Sequence, residues 1–190
     1  MQSIVFATNN LHKLDEVRNK LSKHFNILSL NDINCHDEIP ETANTFEGNA
    51  EQKANWILEK YGFDCFADDS GIEIEALNGE PGVFSARYAG ENCSYDDNNK
   101  KVLYKLKNKT NRNARFVTSI CLKINGETHF FNGKIEGVII EDYAGNEGFG
   151  YDPIFVPNGY SKSFAEMNLN EKNKISHRAK ALEKMLYFFK

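Results

Sequence analysis

The sharpest chemical signal in this sequence is a pair of adjacent carboxylates, Asp68 and Asp69, in the run Ala67-Asp68-Asp69-Ser70-Gly71. The apolar residues before them, Cys65 to Ala67, read as a short strand that ends at the acids. Two carboxylates at one strand end repel each other unless solvent or a cation neutralises them. Magnesium, held by one or two carboxylates and by the phosphates of a substrate, resolves that repulsion. An aspartate beside such a metal can also orient or deprotonate a water. The plain alternative is an exposed acidic turn. Glu41, in the polar loop before the second expected helix, is a further oxygen ligand for the same chemistry.

Three other segments carry chemistry of a related kind. Thr8-Asn9-Asn10-Leu11-His12-Lys13 lies where a strand hands over to a helix, so unpaired backbone N–H groups and the helix dipole favour an anion. Thr8 and Asn10 add side-chain donors and Lys13 a charge, although the glycines of a Walker loop are absent. In Gly148-Phe149-Gly150-Tyr151-Asp152-Pro153 the glycines admit a close ligand, Phe149 offers a flat stacking face, and Asp152 can accept from ring N–H groups. In Ser176-His177-Arg178, Ser176 suits a helix N-cap. The two following cations oppose the macrodipole unless something anionic or acceptor-rich meets them, and Lys172 and Lys174 add charge upstream. Each segment has an ordinary reading: a capped turn, a glycine turn with a core aromatic, a solvated basic cap. Together they describe a polyphosphate cradle, a metal site, a stacking face and donors for a base edge, and a nucleotide uses all four.

The elements that must position these groups are those of an α/β protein. Ser3–Ala7 reads as a buried strand, followed by a helix with Leu11, Leu14, Val17, Leu21 and Phe25 on one face. Residues 26–30 read as the next strand. Asn44 with Glu47 resembles a capping box opening a second helix, whose face is Phe46, Ala50, Ala54, Ile57 and Tyr61 and whose C-terminal cap is Gly62. Ile72, Ile74 and Ala76 alternate with acids as in a half-exposed strand, and 78–82 is a turn cluster. Residues 95–107 predict a helix. A long strand through Phe116, Thr118, Ile120, Leu122 and Ile124 meets the hairpin signal Asn125-Gly126 and returns through Thr128 to about Ile140. The C-terminal stripe Ile175, Ala179, Leu182, Leu186, Phe189 is helical. No repeat or linker divides the chain, which predicts one domain over 1–190.

Composition narrows the partners. The chain has 190 residues with 27 acidic and 23 basic side chains, a net charge of −4. That balance lacks the basic footprint of a nucleic-acid binder. Cys35, Cys65, Cys93 and Cys121 have no metal-ligand spacing and no disulfide framework, and read as reduced thiols. The apolar run Ile4–Ala7 is too short for a signal peptide or a membrane span. The expectation is a cytoplasmic protein with neither membrane nor nucleic-acid partners.

With those residues in view, the chain resembles the inosine triphosphate pyrophosphatase family over essentially its full length. The carrying segments are Ile4 to Asn10 with Lys13, Glu41-Thr42 with Thr45-Phe46, Asn49-Ala50 with Lys53-Ala54, and Ala67 to Gly71. The further ones are Pro81-Gly82 with Ser85 to Gly90, Gly148 to Pro153, and Lys172 with Ser176-His177-Arg178. The resemblance implies an elongated α/β fold with a long mixed central sheet, flanking helices and two lobes around a nucleotide cleft. It also implies a homodimer that hydrolyses ITP, dITP and XTP between the α- and β-phosphates, with Mg2+ as cofactor. By that likeness Asp69 is the general base and holds the metal with Glu41 and Asp68. Thr8, Asn9, Asn10, Leu11, His12, Lys13 and Lys53 take the phosphates, and Ser70 touches the substrate. Phe149, Gly150, Tyr151, Asp152, Lys172, His177 and Arg178 surround the base. One departure stands out: the family's usual Thr-Gly-Asn is Thr8-Asn9-Asn10 here. Glycine there indicates a positive φ or a close phosphate approach, and Asn is the next most tolerant residue at positive φ. The competing readings are a pyrophosphatase for pyrimidine or modified nucleotides and a catalytically silent nucleotide-binding protein.

Overall fold

The computed structural model describes all 190 residues. Its strands are β1 (Gln2–Phe6), β2 (Phe25–Leu28), β3 (Cys65–Ile74), β4 (Asn113–Ile124), β5 (Glu127–Ile139) and β6 (Phe155–Pro157). They form one mixed sheet in the order β2-β1-β3-β4-β5-β6. β2 and β3 run parallel to β1, and β6 runs antiparallel to β5. The helices are α1 (Leu11–Leu21), α2 (Phe46–Tyr61), α3 (Tyr95–Lys105), α4 (Leu169–Ile175) and α5 (His177–Phe188). None is long and apolar enough to cross a membrane.

The chain divides into two compact units, one of residues 1–69, 118–133 and 178–190, the other of 70–117 and 134–177. In the first unit, successive side chains of a strand point to opposite faces, and both faces find a helical cover. Ile4, Phe6, Phe66, Ile120, Leu122 and Ile124 pack with Leu14, Val17 and Leu21 of α1 and Ala181, Leu182 and Met185 of α5. Val5, Ala7, Cys65, Ala67 and Cys121 pack instead with Ala50, Ala54 and Ile57 of α2. The β4–β5 turn, Asn125 at φ 51° and Gly126 at φ 81°, has the two positive φ values of a type I′ hairpin. The second unit has its own core, in which Phe116 meets Phe155 edge-on with ring centroids 4.7 Å apart, joined by Ile72, Ile74, Val102, Leu106 and Phe164.

Four local expectations change. α2 is capped by Thr45, whose hydroxyl accepts from the Gly48 N–H, and not by Asn44. Leu11 is exposed and Phe25 opens β2, so the stripe of α1 runs only from Leu14 to Leu21. The terminal helix is two helices, because Ser176 is extended (ψ 158°) and its N–H closes α4 on the Lys172 carbonyl at 2.9 Å. β3 does not stop at the acids but runs through Asp-Asp-Ser-Gly to Ile74. These are weak strand formers, but a central strand is held by ladders on both sides, and that outweighs propensity. The last change decides how the site is built.

Candidate active site

Because Asp68 and Asp69 lie inside a strand, they must face opposite ways. Phe66 faces α1 and α5, and Asp68, two residues on, shares that face; Ala67 faces α2, and Asp69 shares its face. The contacts follow. Asp68 is 1% exposed, and its Oδ1 accepts from Lys13 Nζ of α1 at 3.1 Å. Its Oδ2 accepts from Nε and Nη2 of Arg178, each at 2.9 Å, and from the Thr118 hydroxyl at 3.4 Å. Nη1 of Arg178 donates to Glu16 of α1. Both oxygens of Asp68 are thus taken by cations. Asp68 is thus a counter-ion that holds Lys13 and Arg178 against β3, on the face of the strand opposite to Asp69.

Asp69 is 7% exposed on the α2 side. Its Oδ2 accepts from Nδ2 of Asn49 at 2.9 Å. Burial pushes its carboxyl above the usual aspartate range; Lys53, Lys13 and the Asn49 hydrogen bond pull the other way, and Glu41 adds to the rise. The two carboxylates Asp69 and Glu41 therefore feel each other's charge, and Lys53 donates to Glu41. Lys13 shows the complementary stress. Burial lowers its pKa, Asp68 opposes that, and the neighbouring charges of Lys53 and Arg178 deepen it. Such a group gains from any added anion.

The phosphate turn is folded onto itself. The Asn10 N–H donates to Oγ1 of Thr8 at 3.1 Å, and Oδ1 of Asn10 caps α1 by accepting from the Lys13 N–H at 3.2 Å. Asn9, Leu11 and His12 are exposed at the start of the helix. Positive φ occurs at Asn34, Asn78, Asn92, Asn108 and Asn125 but not at Asn9. The departure from glycine therefore involves no left-handed backbone here, and the reading left for that position is the room a phosphate needs. Ser70, half-buried, follows Asp69 in β3.

In the second unit, Oδ2 of Asp152 accepts from the Phe149 N–H at 2.8 Å and from Nζ of Lys172 at 2.6 Å. The same ammonium stands 4.7 Å over the Phe149 ring. Gly148 has φ 73°, and a Cβ there would fall 2.1 Å from Oδ2 of Asp152, so this close approach demands glycine. The Gly150 carbonyl accepts from Asn99, and the hydroxyl of Tyr151 donates to the Ser85 carbonyl at 2.7 Å. Tyr151 thus anchors the segment in the core of the second unit. His177 stacks on Phe116 at 4.8 Å and 9°. The structure thus brings Phe149, Asp152 and Lys172 together. Arg178 instead belongs with Asp68 and Glu16, where burial opposes its charge but those two acids outweigh burial and hold the guanidinium ionised. Around Arg178 the donors Nε, Nη1 and Nη2 all meet carboxylates of Asp68 and Glu16.

Residues 4–188 match the Ham1 family. The chain belongs to the Ham1 family. It is 57% identical over 187 residues to the dITP/XTP pyrophosphatase of Flavobacterium psychrophilum, covering 98% of each chain. It is 49% identical over 189 residues to that of Porphyromonas gingivalis, covering 99% and 97%. The Ham1 protein of Staphylococcus aureus superposes with a TM-score of 0.89 at 38% identity over 99% and 98% of the chains. The HAM1 protein of Coxiella burnetii gives 0.90 at 37% over 100% and 98%. The sheet, its flanking helices and the order of motifs are those of the Ham1 fold.

Three residues of this Ham1 chain touch candidate site residues without a role assigned to them from sequence: Glu16, Asn49 and Thr118. Glu16 had a faint signal, since it lies one turn beyond Lys13 on a helix and so shares its neighbourhood. Asn49 and Lys53, one turn apart on the apolar face of α2, are the clearer one. Thr118 looked like any inward position of a long strand.

Proposed function

We propose that the chain hydrolyses non-standard purine nucleoside triphosphates, ITP, dITP and XTP, to the monophosphate and diphosphate. The observation that carries this is Asp69: a buried carboxylate, above its usual pKa, beside Lys53, Lys13 and a second carboxylate. The pyrophosphatase names of relatives up to 57% identical support the substrate class. No three His, Cys, Asp or Glu side chains gather into a metal cage. Two carboxylates do share a field at Asp69 and Glu41, and hard oxygen donors in that number, completed by phosphates, suit magnesium. When bound there, Mg2+ supplies positive charge to the phosphate oxygens.

The chain's own groups account for the remaining work. Asp69 takes a proton from the attacking water, which opens the anhydride between the α- and β-phosphates. Thr8 to Lys13 and Lys53 neutralise the polyphosphate, so that the diphosphate leaves with its charge met. Ser70 contributes a hydroxyl to the substrate. Phe149 stacks on the base, and Lys172, oriented by Asp152, donates to a carbonyl at the purine 6 position, which adenine lacks. The test is product identification by 31P NMR with Mg2+ and ITP: IMP and diphosphate are expected, with ATP and GTP slower. IDP with orthophosphate as first products rejects the bond assignment.

The resemblance also supports a homodimer, checked by light scattering, and an action on free nucleotides in the cytoplasm. One domain over 1–190 is supported by the path of the chain, which crosses between the two units at 69/70, 117/118, 133/134 and 177/178. Such interleaving predicts one cooperative unfolding transition by calorimetry, and two separate transitions refute it.

A further inference from the structure

The loop that carries Glu41 and the strand that carries Asp69 are both fastened to the first turns of α2. Oδ1 of Asn49 accepts from the Ala43 N–H at 2.9 Å, while Nδ2 of the same side chain donates to Asp69 at 2.9 Å. Gln52 closes the loop beside it. Its Oε1 accepts from the Thr42 N–H at 2.9 Å, and its Nε2 donates to the Thr42 hydroxyl at 2.8 Å. Lys53 then reaches Glu41. The spacing is tight: a Cβ on Gly48 would stand 2.6 Å from Cβ of Ala43, so the loop rests against the bare helix backbone.

We propose that Asn49 is a positioning residue for the hydrolysis, a side chain that hydrogen-bonds both Asp69 and the Glu41 loop and so sets the separation of the two carboxylates. The inference rests on the reading that those two carboxylates act together on a metal-bound nucleotide. The chemistry of the side chain fits the task. A backbone N–H can only donate, so the Ala43 contact fixes which end of the amide carries oxygen. The NH2 end must then face Asp69, whose carboxylate can only accept. An aspartate at 49 keeps the first contact and loses the second, placing a third negative charge against Asp69. An alanine loses both. Asn49 is 1% exposed, so no solvent replaces its contact with Asp69, while the Ala43 N–H keeps only its longer bond to Oε1 of Gln52 at 3.2 Å.

The test compares Asn49→Ala, Asn49→Asp and Gln52→Ala with the wild type. Two quantities are read: Mn2+ affinity of the nucleotide-free protein by EPR, and the split of ITP turnover into kcat and KM. Outer partners of metal carboxylates typically matter by about 10–100-fold in affinity or rate. Both Asn49 variants are expected to lose Mn2+ affinity and kcat by factors in that range, Asn49→Asp the more, with KM for ITP within about 3-fold because the phosphate turn is untouched. Gln52→Ala, which leaves the Asp69 contact intact, is expected to lose less. Wild-type Mn2+ affinity in a folded Asn49 variant overturns the proposal, as does a loss confined to KM. If Asn49→Ala fails to fold, the isosteric Asn49→Asp decides by the same two readings. Failure of the wild type to release IMP and diphosphate counts against the proposed reaction instead, and the Mn2+ reading then judges Asn49 alone.

Discussion

Both units of the molecule contain a buried lysine–aspartate pair, and the two pairs are built for different purposes. In the second unit Lys172 and Asp152 form a closed pair at 2.6 Å, both almost wholly buried, with the Phe149 N–H completing the same carboxylate oxygen. One charge meets one charge, and the result is a rigid bracket behind an aromatic face. In the first unit the pair Lys13–Asp68, at 3.1 Å, is part of a crowd that also holds Arg178, Glu16, Lys53, Asp69 and Glu41. Charges there remain under stress, with Asp69 pushed up and Lys13 pushed down. A satisfied pair gives shape, whereas a stressed cluster stores demand for ions that arrive with the substrate. Under the proposed function, the first kind of site would select the base and the second would carry the chemistry of phosphate.

The strongest way to break this comparison is at Asp69. Asp69→Asn keeps shape and removes the base, and the expected loss in kcat is about 10²–10⁴-fold. Steady-state kinetics with ITP checks it; turnover near the wild-type rate would move the base to another group. Next comes Arg178. If it serves Asp68 and Glu16, Arg178→Met leaves two buried carboxylates without their partner. Breaking such a buried pair costs about 3–5 kcal/mol, a fall in Tm on the order of 10 °C, with ITP and ATP activities falling by the same factor. A stable variant that loses ITP activity alone would return Arg178 to the base.

A smaller effect sharpens the other half. Gly148→Ala forces a Cβ toward Oδ2 of Asp152 at a positive φ, a strain of about 1–3 kcal/mol. Because that bracket shapes the base site, the loss should appear as a higher KM for ITP and a narrower ITP/ATP ratio, with kcat kept. A fall in kcat at constant KM would show that the two sites are not divided in this way.

How much of the molecule is legible in its sequence follows from which physics is local. Strand–turn–helix at Thr8–Lys13, the I′ hairpin at Asn125-Gly126 and the cap at Gly62 depend on neighbouring residues, and the sequence announces them. The ion pairs of Asp68 and Arg178 do not. Reading Asp68-Asp69 as a strand end makes two adjacent acids converge; a strand that continues makes them diverge, and only the ladders on either side of β3 decide that. Arg178 carries the same charge wherever it points, and its partners lie 110 and 162 residues away in the chain. Asn49 is visible as a polar residue one turn before Lys53 on an otherwise apolar face. Its meaning needs the loop that lies over it.

The smallest expected effect is also the most direct probe of stored demand, and it concerns the metal-free protein. The Asp69 carboxyl is raised above its ordinary value of 3.8 chiefly by burial. Between that value and the folded one, the folded protein holds a proton that the unfolded chain has released. Stability must then fall as pH rises through this window and level off above it. At neutral pH the ionised group is a net burden, about 1.4 kcal/mol for each unit by which the pKa is raised. Asp69→Asn removes the charge and keeps a side chain able to accept from Asn49. It should therefore be more stable than the wild type at pH 7, and a burden of that size corresponds to roughly 3–5 °C in Tm. The two proteins should converge as the pH drops toward the ordinary aspartate value. Calorimetric melts across that range in the presence of EDTA measure this. Parallel curves for the two proteins would mean that Lys53 and Lys13 already neutralise Asp69 in full. The first unit would then hold no unmet charge, and the contrast between the two sites would lose its physical basis.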